Sequence, residues 1–123
     1  MKVKDMELDI LGTKWRVVSR NKQQDKQLEN LAGYTDASAR LIVLADINPE
    51  ECTISNLHAD LQSTLRHEII HAFFYESGLW VNSGAVENWA MNEEMVDWLA
   101  IQFPKMFDVM QAAKALPWCK LEM

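Results

Sequence analysis

The sequence lacks the features that mark several common classes of protein. Its two cysteines, Cys52 and Cys119, are far apart and form no CxxC pair, so we expect two free thiols in a reducing cytosol. No apolar stretch approaches the length of a membrane span, and the N-terminal residues contain no apolar core of a secretory signal. The net charge of −6 argues against nucleic acid as the main ligand, because phosphate binding needs a positive surface. We therefore expect a cytoplasmic protein with neither a membrane nor a nucleic-acid partner, and the sequence leaves its oligomeric state open.

The length and composition predict a single domain that spans residues 1–123. Hydrophobic residues make up 49% of the chain, which is enough for one modest core. Five tryptophans and seven methionines are many for a chain of this size. They indicate either filling of the core or an apolar surface that docks a partner protein.

The first third of the chain shows the patterns of β-strands. Residues 6–20 predict a hairpin, because apolar and charged residues alternate before Gly12 and a β-prone segment follows it. Residues 21–31 are compatible with a loop or a short helix, and residues 33–36 with a turn or a short strand. The apolar run at 41–45 predicts a strand. If that strand lies at an edge of the sheet, a substrate peptide could pair with it.

Helical patterns follow the strands. Apolar residues at three- and four-residue spacing predict a helix between an N-cap at Ser55 and a C-terminal glycine at Gly78. A loop at about 79–84 leads to a second helix from about 85 to 103, which Pro104 should end. A third, shorter helix is expected over 106–116.

The order of strands first and helices afterwards predicts an α+β fold. We expect a small N-terminal antiparallel sheet. It should pack against the first helix, the second helix and the short C-terminal helix.

The motif that carries chemistry is the HExxH segment of the first helix. His67 and His71 are four residues apart, so both imidazoles lie on one face of the helix, close enough to bind the same metal ion. Glu68 lies beside His67 and can reach a water molecule at that ion without being a ligand. The apolar positions of the helix lie on the opposite side, toward a core: Leu65, Ile69 and Ala72.

A catalytic zinc site needs a third protein ligand and one open position. His58 lies more than two helical turns before His67 and cannot reach the same ion. Glu93 fits better, because it follows His71 after enough residues for a loop and an antiparallel helix. The predicted second helix has an apolar stripe of five residues: Trp89, Val96, Leu99, Ala100 and Phe103.

Helical phase then separates two neighbouring glutamates. Glu93 lies about 50° from the centre of that stripe and Glu94 about 150° from it, so Glu93 should point toward the first helix. Asp97 follows one turn later on the same side, where it can accept a hydrogen bond from a ligating histidine. The alternative is that Glu93 and Asp97 form a solvated acidic face.

The combination of HExxH with Asn92-Glu93-x-x-x-Asp97 resembles the gluzincin pattern of zinc peptidases. The short chain and its order of elements resemble the small zincin domains of phages and mobile elements, the ImmA/IrrE-like group. This resemblance implies a minimal zincin fold in which His67, His71 and Glu93 bind Zn²⁺ and Asp97 supports a ligating histidine. It also implies a peptidase with Glu68 as the catalytic acid and base, acting on a peptide or protein substrate.

The chain departs from the larger gluzincins in having no room for the domain that stabilises the oxyanion. Tyr34, Arg66 and Tyr75 are candidates for that role. The main alternative function is a non-catalytic zinc-binding module that binds or sequesters a protein partner. A metal-free interaction domain and a hydrolase of non-peptide amides are further alternatives.

Overall fold

A computed structural model describes residues 1–82 and 93–123 of the chain. The fold is α+β, as predicted, with a four-stranded sheet at the N-terminus followed by helices. The strands are β1 (Met6–Ile10), β2 (Thr13–Arg20), β3 (Gly33–Asp36) and β4 (Leu41–Ala45). The helices are α1 (Leu57–Glu76), α2 (Leu79–Asn82) and α3 (Glu93–Ala112).

The sheet is mixed, so the prediction of an antiparallel sheet is wrong in one respect. Its strand order is β1-β2-β4-β3. The hairpin of β1 and β2 is confirmed, with Gly12 at a φ of 88° in its turn. Strand β4 pairs parallel with β2 and antiparallel with β3. The long connection of residues 21–40, which includes a short 3-10 helix at Lys26–Glu29 and β3, lets the chain return parallel to β2.

The predicted strand at Leu41–Ala45 is confirmed, but it does not lie at an edge, so the condition for pairing a substrate peptide with it is not met. Strand β4 lies between β2 and β3, and all five of its residues are buried. A continuous apolar run is typical of a strand that is covered on both faces, whereas an edge strand needs less apolar sequence. The edge next to α1 is β3, whose Thr35 hydroxyl donates a hydrogen bond to the main-chain oxygen of Glu68 at 3.2 Å.

Helix α1 forms where the apolar spacing predicted it, but it begins one residue later than predicted. The side chain of Asn56, rather than Ser55, accepts a hydrogen bond from the main-chain N–H of Ala59 at 3.1 Å. Gly78 follows the helix with a φ of 83°, as a glycine after a helix end often does. The buried side of α1 packs on the sheet and includes Leu61, Leu65, Ile69, Ala72 and Phe73.

Helix α3 continues through Pro104, so the prediction that this proline ends a helix is wrong. The separate helix expected over 106–116 is the second half of α3, which ends at Ala112. A proline inside a helix costs about 3 kcal/mol, because it removes one main-chain hydrogen bond and crowds the preceding turn. Met106 and Met110 beyond the proline are buried in the core, and their burial offsets that cost. The part of the predicted helix at 85–92 lies outside the described residues.

The face of α3 that packs inward also differs from the predicted stripe. Leu99 is 42% exposed and Phe103 is 59% exposed. Trp98 instead contacts α1, where its indole N–H donates to the hydroxyl of Ser77 at 3.2 Å and its ring meets Phe74. Both faces of α3 carry apolar residues, so the sequence pattern alone does not show which face packs inward. The contact of Trp98 with α1 shows it.

The chain after α3 packs back against α1 and the sheet. Its buried residues are Ala113, Ala115, Leu116 and Leu121. The main-chain N–H of Lys4 donates a hydrogen bond to the main-chain oxygen of Glu122 at 2.9 Å. Among the described residues, no helix combines the length and the apolarity that crossing a bilayer requires.

Candidate metal centre

Helix α1 brings His67, Glu68 and His71 into one group. Each offers one ligand atom, and these atoms all lie within 4.8 Å of one another. The two histidines occupy the face of α1 away from the core, since Leu65 and Ile69 are fully buried while His67 is exposed. The grouping therefore follows from the four-residue spacing of the motif, as predicted.

The two imidazoles are arranged to share a metal ion. Their Nε2 atoms face each other at 3.1 Å, with the rings at 71°. Two nitrogen ligands about 2.05 Å from a tetrahedral zinc ion stand roughly 3.3 Å apart. The observed separation needs only a small adjustment to fit that geometry. The group of two imidazoles and a carboxylate can bind a metal ion.

Glu68 lies under the two histidines, between α1 and the sheet. It is only 4% exposed, and burial raises the pKa of its carboxyl group, partly offset by the nearby charge of His67. The hydroxyl of Thr35 in strand β3 holds the main chain at this point of α1. A carboxyl group whose pKa is moved toward neutrality is suited to exchange protons.

His71 lies deeper than His67, beside two aromatic rings. Its imidazole meets the rings of Phe74 and Trp80, each with centroids 6.4 Å away. Burial lowers its pKa, so the neutral form that binds metals is favoured near pH 7. Its Nδ1 atom is buried and has no hydrogen-bond partner among the described residues. A histidine that binds metal through Nε2 carries a proton on Nδ1 and needs an acceptor for it.

Glu93 and Asp97 are placed on α3 and are exposed, as is Glu94. Neither Glu93 nor Asp97 belongs to the group around His67. The observed inward face includes Trp98 and Met106 rather than the predicted stripe, so helical phase does not by itself select between Glu93 and Glu94. The role of Glu93 as a ligand stays a prediction, and so does the role of Asp97. The segment 83–92 that precedes them lies outside the described residues.

The three candidates for stabilising an oxyanion have other contacts. The hydroxyl of Tyr34 donates to the carboxylate of Asp25. The guanidinium of Arg66 donates to the main-chain oxygen of Ala115 at 2.7 Å. The ring of Tyr75 packs beside other side chains, namely Trp15 and Arg40. None of these contacts involves the histidine pair.

Two features of the site were not foreseen. Thr35 contacts Glu68 only because β3 is the strand that lies over α1, and the sheet order is not written in the local sequence. Gly33 lies where a Cβ atom would stand 2.8 Å from the main-chain oxygen of Val43 and 3.1 Å from Thr64. A glycine in a strand often marks such a close approach, and this signal was available.

His58 behaves as the sequence predicted. Its Nε2 accepts a hydrogen bond from the main-chain N–H of Leu121 at 3.1 Å, and it takes no part in the metal-binding group.

Comparison with protein-family models, with curated proteins and with solved structures finds no match for this chain.

Proposed function

We propose that the protein is a zinc-dependent peptidase. The observation that carries this proposal is the convergence of His67, Glu68 and His71, with two Nε2 atoms 3.1 Å apart above a buried carboxyl group. Imidazole and carboxylate ligands suit zinc, and an exposed histidine leaves the ion accessible to a substrate. When bound, zinc would supply Lewis-acid chemistry, since it polarises a carbonyl group and makes water more acidic.

Glu68 is the proposed general base and acid. Its carboxylate lies within 4.8 Å of the histidine nitrogens, where it could take a proton from the attacking water and return it to the leaving amine. The contact between Thr35 and the main chain of Glu68 ties this point of α1 to strand β3. Glu93 is the proposed third ligand, and Asp97 the proposed acceptor for a ligating histidine.

The substrate is proposed to be an extended peptide that pairs with strand β3. Among the described residues, β3 has a strand partner on one side only, which is β4. Its edge passes Glu68 at Thr35. Main-chain pairing with a strand edge holds a peptide largely independently of its side chains. This places the peptide bonds of the substrate next to the histidines and the general base.

The test is cleavage of a peptide library by the zinc-loaded protein, by the chelator-treated protein and by the Glu68→Gln variant. We expect rapid cleavage by the zinc-loaded protein and none by the chelator-treated protein. The variant should cleave about 10²–10⁴-fold more slowly than the native protein, because it lacks the proton carrier. Zinc content of the variant should equal that of the native protein. Substitution of the exposed Glu94 by Gln is the matched control and should leave cleavage unchanged. Cleavage by Glu68→Gln at the native rate would exclude Glu68 as the base.

One observation favours a second function, a zinc-binding module that docks a protein without cutting it. Phe103, Phe107 and Trp118 form a row of tilted rings, with centroids 6.1 and 6.4 Å apart, and Trp118 is 70% exposed. Exposed aromatic residues in contact with one another are common at protein interfaces. Under this alternative the zinc-loaded native protein would cleave no peptide in the same library.

A further inference from the structure

The two sides of the metal-binding group differ in chemistry. Toward the start of α1 lies a shallow cavity of about 280 Å³, where Ser63 and Thr64 contribute hydroxyl groups. The full lining is Ala32, Gly33, Ser63, Thr64, His67 and Glu68. Toward the end of α1, the rings of Phe74 and Trp80 flank His71. One side is therefore polar and the other aromatic.

Strand β3 and helix α1 run in the same direction past the site. Gly33, at the start of β3, lies against Thr64, whereas Thr35 contacts Glu68 one helical turn later. A peptide along the edge of β3 therefore passes the polar cavity first, the histidines next and the aromatic side last. The order is fixed by the fold.

The two regions stand a few residues of an extended peptide apart. Seven helical residues separate Thr64 from His71, which corresponds to roughly 10 Å along the helix. An extended peptide covers that distance in about three residues. A bond held beside Glu68 thus has side chains within about two residues of it near the cavity on one side and near the aromatic rings on the other.

We infer that the site selects peptides with a polar, uncharged side chain on one side of the cleaved bond and an aromatic or bulky apolar one on the other. This inference rests on the proposed peptidase function. Ser63 and Thr64 can hydrogen-bond to a polar side chain, and the carboxyl group of Glu68 in the cavity wall disfavours an acidic one. Trp80 is 55% exposed beside His71, where an aromatic side chain of the substrate can pack against it.

The test maps the cleavage sites of the zinc-loaded protein in a mixed peptide library by mass spectrometry. The double variant Ser63→Ala/Thr64→Val removes the hydroxyl groups at nearly constant volume, and we expect it to reduce the preference for polar side chains by roughly five- to tenfold. Trp80→Ala should reduce the preference for aromatic side chains by about tenfold, and Trp80→Phe should restore most of it.

Two controls carry the same substitutions away from the site. They are Thr53→Val and Trp118→Ala, both at exposed positions. Binding of the selected peptides can also be measured without turnover. Calorimetry compares their affinity for zinc-loaded Glu68→Gln with their affinity for the same variant that also carries Trp80→Ala. We expect the controls to keep the native selectivity and Trp80→Ala to weaken binding.

The outcomes separate this inference from the function on which it rests. Cleavage sites that are polar on one side and aromatic on the other, and that change with the two site variants, support it. Cleavage without this asymmetry, or asymmetry that the variants leave intact, overturns the inference and keeps the peptidase. No cleavage of any peptide by the zinc-loaded protein overturns the peptidase and the inference together.

Discussion

Helix α1 carries two sets of polar side chains that differ in where their hydrogen bonds go. The first set, His58, Gln62 and Arg66, bonds to the main chain between Lys114 and Leu121. In the second set, His67 and His71 face each other. Nδ1 of His71 has no partner among the described residues. The fold uses the hydrogen-bonding capacity of the first set, and the second set is the one that the proposed metal ion would use.

Spacing alone does not distinguish the two sets, because members of both stand four residues apart. What distinguishes them is the neighbouring chain. The C-terminal segment covers the start of α1 and offers carbonyl oxygens there, whereas strand β3 approaches the motif and leaves His67 exposed. A buried polar group without a partner costs about 1–3 kcal/mol, so a hydrogen-bond acceptor for Nδ1 of His71 would stabilise the site once Nε2 binds a metal ion.

The largest expected effect comes from substitution of the histidines themselves. His67→Ala or His71→Ala should weaken zinc binding by more than about 100-fold, since each removes a ligand rather than a supporting contact. His58→Ala, in the first set, should bind zinc like the native protein and unfold at a lower temperature. Titration with a zinc indicator and thermal unfolding measure the two effects. Equal zinc affinity in His67→Ala and His58→Ala would remove the distinction between the sets.

A comparison of the adjacent glutamates on α3 sharpens the account of the site. Glu93→Ala should lower zinc affinity by about 100-fold, whereas Glu94→Ala should leave it unchanged, because only a ligand contributes directly to binding. Both side chains are exposed, so neither substitution should disturb the core. Zinc content after dialysis measures the difference. Loss of zinc in Glu68→Gln but not in Glu93→Ala would make Glu68 the third ligand.

The next effect concerns stability and the first set alone. The side-chain amide of Gln62 is 1% exposed and donates to three carbonyl oxygens, those of Lys114, Leu116 and Cys119. Gln62→Leu keeps the volume but leaves these oxygens unpaired, which should lower the free energy of unfolding by about 2–4 kcal/mol. Denaturation in urea measures this loss, and Gln111→Leu at an exposed position is the control. Zinc affinity should not change.

The smallest effect is expected at a polar cluster away from α1. Asp25 accepts hydrogen bonds from Tyr34 and, at 3.4 Å, from Arg20, and the bond from Tyr34 holds the pKa of its carboxyl below the ordinary 3.8. A lowered pKa stabilises the fold above pH 3.8, and this stabilisation is lost as the pH falls through the folded-state value. Asp25→Asn should therefore lower the unfolding temperature at pH 7.

The pH dependence of that difference is the informative measurement. The difference in unfolding temperature between Asp25→Asn and the native protein should narrow as the pH falls below 3.8. The native carboxyl then becomes protonated as the pH passes through its folded-state pKa. Asp5→Asn at an exposed position is the control. A gap that stays constant down to pH 2 would show that the charge of Asp25 does not contribute.

The sequence predicted the parts of the fold that local patterns determine. The hairpin before Arg20, the strand at Leu41–Ala45 and the helix that carries the motif are confirmed. The position of β4 inside the sheet stayed open, because it depends on which distant strands pair. The continuation of α3 through Pro104 was missed because burial of Met106 and Met110 outweighs the local cost of the proline.

The same distinction between local patterns and long-range packing applies to the candidate site. His67, Glu68 and His71 belong to one helix, so their spacing alone placed them together. Any ligand from α3 depends on how two helices pack, and there the apolar pattern was ambiguous, with Leu99 exposed and Trp98 in contact with α1. Thr35 reaches the site from a strand, and no local signal could have indicated it.

The most direct test of the metal centre is anomalous diffraction at the zinc absorption edge from crystals grown with zinc. We expect one peak about 2.0–2.1 Å from Nε2 of both His67 and His71, with a carboxylate oxygen of Glu93 as the third protein ligand. A peak elsewhere, or the two Nε2 atoms still in direct contact at 3.1 Å with no ion between them, would contradict a zinc site at this motif.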